Sequence, residues 1–164
     1  MVRTKTYERD RKTHVSAIVT NEAVENCLRK ILAKNRFSLS PKKAHGETGV
    51  DILATKRKSY YIEVIGYKKS APMRARDFYE VFFRAISRLN QGAKHCIIAL
   101  SNRAESGLPV RAQRHRVAWL RIADAFPELE IWLVNVDEHK YKSTTWREWA
   151  NTNYRRQTSQ AFLA

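Results

Sequence analysis

The sequence predicts an α/β fold: one domain with a mixed central sheet flanked by helices, its elements running α-β-β-β-α-β-α-β-α. Two observations predict the class. Apolar residues recur at the 3.6-residue period of a helix in some stretches and gather into short β-branched and aromatic runs in others. The two patterns also alternate along the chain. A third observation sets the domain count. The 164 residues suit one sizeable core, and no repeat, low-complexity tract or Gly/Ser linker divides them. Residues 1–164 are therefore expected to form a single domain with its core over about 15–136.

Each element has a local cause. Val15, Ile18, Val19, Val24, Leu28, Ile31 and Leu32 keep a helical period, giving one or two amphipathic helices that end near Asn35. Phe37 and Leu39 alternate with polar neighbours and Pro41 stops them, so Arg36–Ser40 suits a short strand. Val50–Thr55 is a second strand, and Lys56–Ser59 reads as a charged hairpin turn into a third, Tyr60–Gly66. Asp77 is expected to cap a helix running through Leu89, with Phe78, Phe82, Ala85 and Leu89 on one face and Gly92 at its end. Cys96–Leu100 reads as a buried strand, Pro109–Ala125 as a helix opened by its proline, and Glu130–Val136 as another buried strand. A closing helix is expected over about 144–157, with Trp146, Trp149 and Tyr154 turned inward.

Composition narrows the function classes. Lys and Arg number 31 against 16 Asp and Glu, a net charge of +15. Such an excess suits a polyanionic partner, nucleic acid before an anionic membrane surface. The 43% hydrophobic fraction argues against a basic disordered tail. No apolar run approaches the ~18 residues of a membrane span, and the charged start MVRTKTYERDRK lacks the apolar stretch of a secretory signal. Two cysteines build no disulfide framework, so a reducing cytoplasm is the expected compartment.

The charge is also clustered. Basic residues crowd Asn26–Gly46 with no acid among them, and Lys56–Arg76 against the single acid Glu63. Asp124–Glu138 is acidic, with no Lys or Arg. A cationic face for DNA phosphate is expected from Lys42, Lys43, Lys68, Lys69, Arg74 and Arg76. Arg111, Arg114 and Arg121 would add a stripe on one helix face, with His115 nearby.

Three acids sit where chemistry is expected. Asp51 opens the second strand, Glu63 lies inside the third, and Glu25 projects from the first helix. A carboxylate inside an apolar strand is costly unless it is paired, protonated or metal-bound. Hairpin strands would set Asp51 and Glu63 side by side, where a shared divalent cation relieves their repulsion and activates water against phosphate. In the competing reading, Glu63 pairs with an arginine such as Arg84 and Asp51 caps a turn.

These residues resemble the PD-(D/E)XK, or restriction-endonuclease-like, nucleases. The resemblance rests on Gly49-Val50-Asp51-Ile52-Leu53 and Tyr61-Ile62-Glu63-Val64-Ile65-Gly66 within an αβββαβ order, over roughly residues 20–101. The chain resembles members of the Holliday-junction-resolvase and restriction-enzyme type, in which a helix glutamate precedes the strands by about a dozen residues, as Glu25 (alternatively Glu22) precedes Phe37. The segment Asp77–Arg84 looks like the second core helix of that fold, with Arg84 where relatives often carry Gln. The resemblance implies a Mg²⁺- or Mn²⁺-dependent DNA endonuclease. Asp51, Glu63 and the Val64 carbonyl would ligate metal, Glu25 would support a second ion or its waters, and the protein would act as a homodimer if it cuts two strands. A catalytically silent DNA-binding protein of the same fold is the alternative.

One departure bears on catalysis. The family places Lys two residues after the strand glutamate, on the same face, and here that position is Ile65. Lys68 lies about 16 Å along an extended strand from Glu63 and points to the opposite face unless Gly66 bulges. Arg84 or Arg88 on the following helix is the better-placed substitute. Elsewhere, His45 and Glu47 read as a solvated loop, Tyr60, Tyr61 and Tyr67 as core more than base-stacking platforms, and Cys27, His95 and Cys96 as packing residues.

Overall fold

The computed structural model describes residues 18–151. A six-stranded mixed sheet is built from β1 (Ser38–Leu39), β2 (Ile52–Thr55), β3 (Ser59–Ile65), β4 (Cys96–Ser101), β5 (Leu129–Asn135) and β6 (Lys140–Thr145), lying side by side in chain order. β1, β2 and β3 are antiparallel, β3, β4 and β5 run parallel, and β6 returns antiparallel to β5. Every residue of β4 is buried, as a central parallel strand covered on both faces requires.

Helix α1 (Asn21–Lys34) covers one face. Thr20 caps it by accepting from the Ala23 N–H at 3.1 Å, and Val24, Cys27, Leu28 and Leu32 form its buried stripe. They pack on Ile52, Ile62, Val64, Ile97, Ala99 and Trp132. The opposite face carries α2 (Ala71–Ser87), α3 (Gly107–Arg114) and α4 (Arg116–Ala125), packed on Ile65, Cys96, Ile98, Leu100, Ile131 and Leu133. Alternate residues of β4 thus serve two cores, as the pleat dictates.

Several elements depart from expectation. α2 starts at Ala71, with Pro72 in its first turn, so Asp77 is an interior helical residue rather than a cap. The helix expected over Pro109–Ala125 is two helices broken at His115 (φ −113°, ψ 33°). The break lets α3 bury Leu108 and Ala112 while α4 separately turns Trp119 onto Trp146, ring centres 3.9 Å apart. Each indole N–H of that pair donates to the other's carbonyl, at 2.8 and 3.0 Å. Over the described part of the expected closing helix, residues 144–151, a helix is not what forms. β6 runs through Thr145 and a 3₁₀ turn, Arg147–Ala150, follows it. Thr144 is buried, donating to the Ile131 carbonyl at 2.7 Å and accepting from the Trp149 indole at 2.9 Å, and this ties the segment into the sheet. Trp146 and Trp149 do pack inward, whereas Tyr154 lies outside the described residues.

Candidate functional site

The β2–β3 ladder pairs Ile52 with Ile62 and stops there. One residue earlier, the Asp51 side chain takes over the pairing, and its Oδ2 accepts the Val64 N–H at 2.9 Å. Gly49, at φ +115°, makes the turn into this position. Strand alternation then directs Tyr61, Glu63 and Ile65 toward α2 and Ile62 and Val64 toward α1. Glu63, fully buried, sits beside Ile98 of β4.

Two arginines one helical turn apart answer that buried charge. Arg84 Nη2 donates to Asp51 Oδ2 at 2.9 Å and also to Glu63 Oε2. Arg88 Nε donates to Glu63 Oε1 at 2.7 Å. On the other side Lys43 Nζ reaches Asp51 Oδ1 at 2.8 Å and the Gly49 carbonyl at 2.7 Å. Asp51 and Glu63 therefore converge on a single cationic nitrogen, with three cations engaging two carboxylates. Arg84 is the outermost member, its side chain 36% exposed against 15% for Asp51.

Glu25 takes a different part from the expected one. It accepts from Arg29 Nε at 2.7 Å, and Arg29 donates on to the Asp51 backbone carbonyl at 2.8 Å and the Ser40 carbonyl at 2.7 Å. Glu25 positions Asp51 through Arg29, and its carboxylate is turned to that guanidinium. Val64 meets the site through its N–H.

The carboxyl groups feel opposite net effects. Burial works against ionisation of Asp51, but the Lys43 hydrogen bond, the Val64 N–H and the Arg84 charge outweigh it and hold its pKa below the ordinary value. Burial raises that of Glu63, the neighbouring Asp51 charge adds to the rise, and Arg84 and Arg88 offset it in part.

Other expected site residues scatter. Ile65, at the motif-lysine position, is 6% exposed and packs in the α2-side core. Lys68 pairs with Asp77 at 2.7 Å rather than with Glu63, and Lys69 is exposed. Lys42 pairs with Glu22 at 2.9 Å on the surface, while Lys43 is drawn into the site and away from a surface role. Arg74 donates to the Lys68 and Lys69 carbonyls, and Arg76 is exposed. The α3–α4 break divides the expected arginine stripe: Arg111 lies 4.8 Å from the Phe78 ring centre, while Arg114 and, on α4, Arg121 are exposed. His45 and Glu47 are exposed, Glu47 closing a turn onto the Ala44 N–H at 2.8 Å. Tyr60 packs against His95 and Trp132, and Cys27 and Cys96 are buried.

Sequence reasoning missed Arg29 and the inward role of Lys43. The four-residue spacing of Glu25 and Arg29 carried a signal for the first. Nothing local marks Lys43, because its partner arrives through a loop.

The donor set suits a hard divalent ion in kind: two carboxylate groups that already share one cation. Among the described residues no three Asp, Glu, His or Cys side chains gather as a metal-binding group. Comparison with protein-family models, curated proteins and solved structures returns no match to this chain.

Proposed function

We propose that the protein binds DNA and hydrolyses its phosphodiester bonds at Asp51 and Glu63, on a restriction-endonuclease-like core, with Mg²⁺ or Mn²⁺ as cofactor. The observation that carries this reading is the meeting of both carboxylates on Arg84 Nη2, which supports a role for the helix arginine as the cation missing at Ile65. The antiparallel β1–β3 unit, crossover helix and parallel β4 agree with the αβββαβ order of that fold.

Asp51 and Glu63 would hold the ion, which when bound supplies charge neutralisation and water activation. Arg84, the most exposed member of the group, would turn its guanidinium to the scissile phosphate and stabilise the charge that develops there. Arg88 would stay on Glu63 and keep that carboxylate oriented, while Glu25 and Arg29 hold the backbone at Asp51. The basic surface would supply non-specific affinity for DNA.

One observation favours a second reading, DNA binding without cleavage: the two carboxylates are already engaged by Lys43, Arg84 and Arg88. Nicking of supercoiled plasmid in Mg²⁺ or Mn²⁺, beside DNA binding in EDTA, separates the two. Wild-type protein is expected to nick, and Asp51→Asn, Glu63→Gln and Arg84→Ala to lose at least about a hundredfold in rate while still binding DNA. Binding with no nicking in wild type, and none in a folded Ile65→Lys variant, overturns hydrolysis in favour of the silent binder. Loss of DNA binding in wild type overturns both.

A further inference from the structure

A second feature opens beyond Ile65, where the carboxyl ends of the parallel strands β3 and β4 meet the starts of α2 and α3. It is a cleft of about 280 Å³. Its floor is apolar, made by Ile65, Phe78, Leu100 and Leu108. Its rim is cationic, made by Lys68, Arg74, Arg103 and Arg111. Among the described residues Asp77 is the single acid lining it, and Lys68 at 2.7 Å and Arg76 at 3.9 Å meet that charge. Arg103 meets Asp137 at 3.5 Å. Arg74 meets carbonyl oxygens and lies over the Tyr67 ring, centre 4.7 Å away. Arg111 rests on Phe78 and Tyr79, 4.8 and 5.2 Å from their ring centres, and among the described residues it has no carboxylate partner. The cleft therefore keeps a positive surplus over an apolar base.

Two further facts agree. Ala71 of α2 and Gly107 of α3 both line the cleft from the first turn of their helices, where N–H groups point outward. Neither helix has a side-chain cap or an acid in that turn, although the Leu108 N–H of α3 is already taken by the Glu105 carbonyl at 3.2 Å. The size is selective, because small-ligand pockets run from roughly 300 to 1,000 Å³ and this cleft lies just under that range, too small for a duplex.

We propose that this cleft binds one nucleoside monophosphate unit, base over the apolar floor and phosphate among the arginines. The unit could be a free nucleotide or the 5′-phosphorylated end of a DNA strand; the strand-end source rests on the DNA-binding reading, the free nucleotide does not. A guanidinium seated over the Phe78 and Tyr79 rings is held in place with N–H donors left for phosphate oxygens.

Calorimetry on the full chain in EDTA tests this without any cleavage step. The probes are dAMP, inorganic phosphate, and a short single strand with either a 5′-phosphate or a 5′-hydroxyl. dAMP is expected to bind saturably and more tightly than phosphate, and to weaken about tenfold in folded Arg111→Gln and in Arg103→Gln. Lys140→Gln removes the same unit of charge at the exposed start of β6 and is expected to change nothing. A 5′-phosphorylated strand that binds at least about tenfold tighter than both dAMP and its 5′-hydroxyl form assigns the strand end. Equal affinity for dAMP and the phosphorylated strand assigns the free nucleotide. No saturable dAMP binding below about 1 mM, or an equal loss in Lys140→Gln and Arg111→Gln, overturns the proposal. DNA binding and nicking are measured separately, so their failure leaves this result standing.

Discussion

At the residue scale the site is governed by a contest between desolvation and pairing that Asp51 and Glu63 resolve in opposite directions. Asp51 keeps 15% of its side chain exposed and takes two cations and a backbone N–H, so its folded pKa lies below the unfolded value. The stability it contributes is present above the unfolded carboxylate range and is lost as pH falls through its lowered folded value. Glu63 is fully buried beside Asp51, and its folded pKa is raised. The folded state holds that proton more tightly than the unfolded chain, so stability falls as pH rises from the unfolded value through the folded one. Urea unfolding across pH 3–7 is expected to show Asp51→Asn weaker than wild type by about 1–3 kcal/mol at neutral pH, with the gap closing toward acid. Glu63→Gln is expected to compare best with wild type at neutral pH and least well in acid, as a buried ion pair that desolvation nearly cancels should. The same sign of pH dependence for both variants would contradict this division.

At the element scale, the placement of the β3 terminus against the start of α1 decides where Ile65 and the cleft stand. Val19 and Tyr67 exchange two backbone hydrogen bonds, at 3.0 and 2.7 Å, and the Gly66 N–H donates to Asn21 Oδ1 at 2.7 Å. A Cβ on Gly66 would lie 2.1 Å from the Val19 carbonyl oxygen, backbone that cannot step aside cheaply. Gly66→Ala is therefore expected to cost about 1–3 kcal/mol or more in urea unfolding. Gly107→Ala, whose added methyl meets nothing within 4 Å, is expected to be near neutral. A Gly66→Ala protein as stable as wild type would mean that α1 and β3 do not meet as closely as described.

At the scale of the whole molecule the charge is asymmetric in use as well as in amount. The net charge of +15 includes Lys43, Arg84 and Arg88, which are engaged at the two carboxylates, and Lys68 and Arg103, which pair at the cleft. The exposed Lys69 and Arg114 are freer to meet a polyanion, and the exposed Arg76 has a 3.9 Å contact with Asp77. DNA affinity is expected to fall with salt at a log–log slope of about −3 or steeper, and Arg76→Gln to flatten it by about one. A flat salt dependence would remove phosphate as the main contact. Among the described residues no helix is long and apolar enough to cross a membrane.

Local patterns were enough to place the first three strands, the hairpin between the second and third, the helix after them and the buried strands β4 and β5. Their signals are local: periodicity, β-branched runs, and Gly92, which at φ +74° ends the 3₁₀ turn Arg88–Gln91 that follows α2. Asp51 and Glu63 stood out because a carboxylate at or inside an apolar strand is costly unless paired, protonated or metal-bound, and Arg84 or Arg88 stood out as cations able to reach them. What those acids meet is set by packing. Lys43 reaches Asp51 through a loop that no residue pattern marks. Of the two candidate arginines, Arg88 settles on Glu63 alone, and Glu25 goes to Arg29, a pairing that only the i,i+4 spacing hinted at. The break at His115 and the β6 strand were hidden for the same reason. Arg111–Arg121 has good helical propensity throughout, and Lys140–Thr145 is polar enough to pass for a surface segment. The tryptophan stack between α4 and the residue after β6, with Thr144 bonded into β5, overrides both local preferences through contacts distant in sequence.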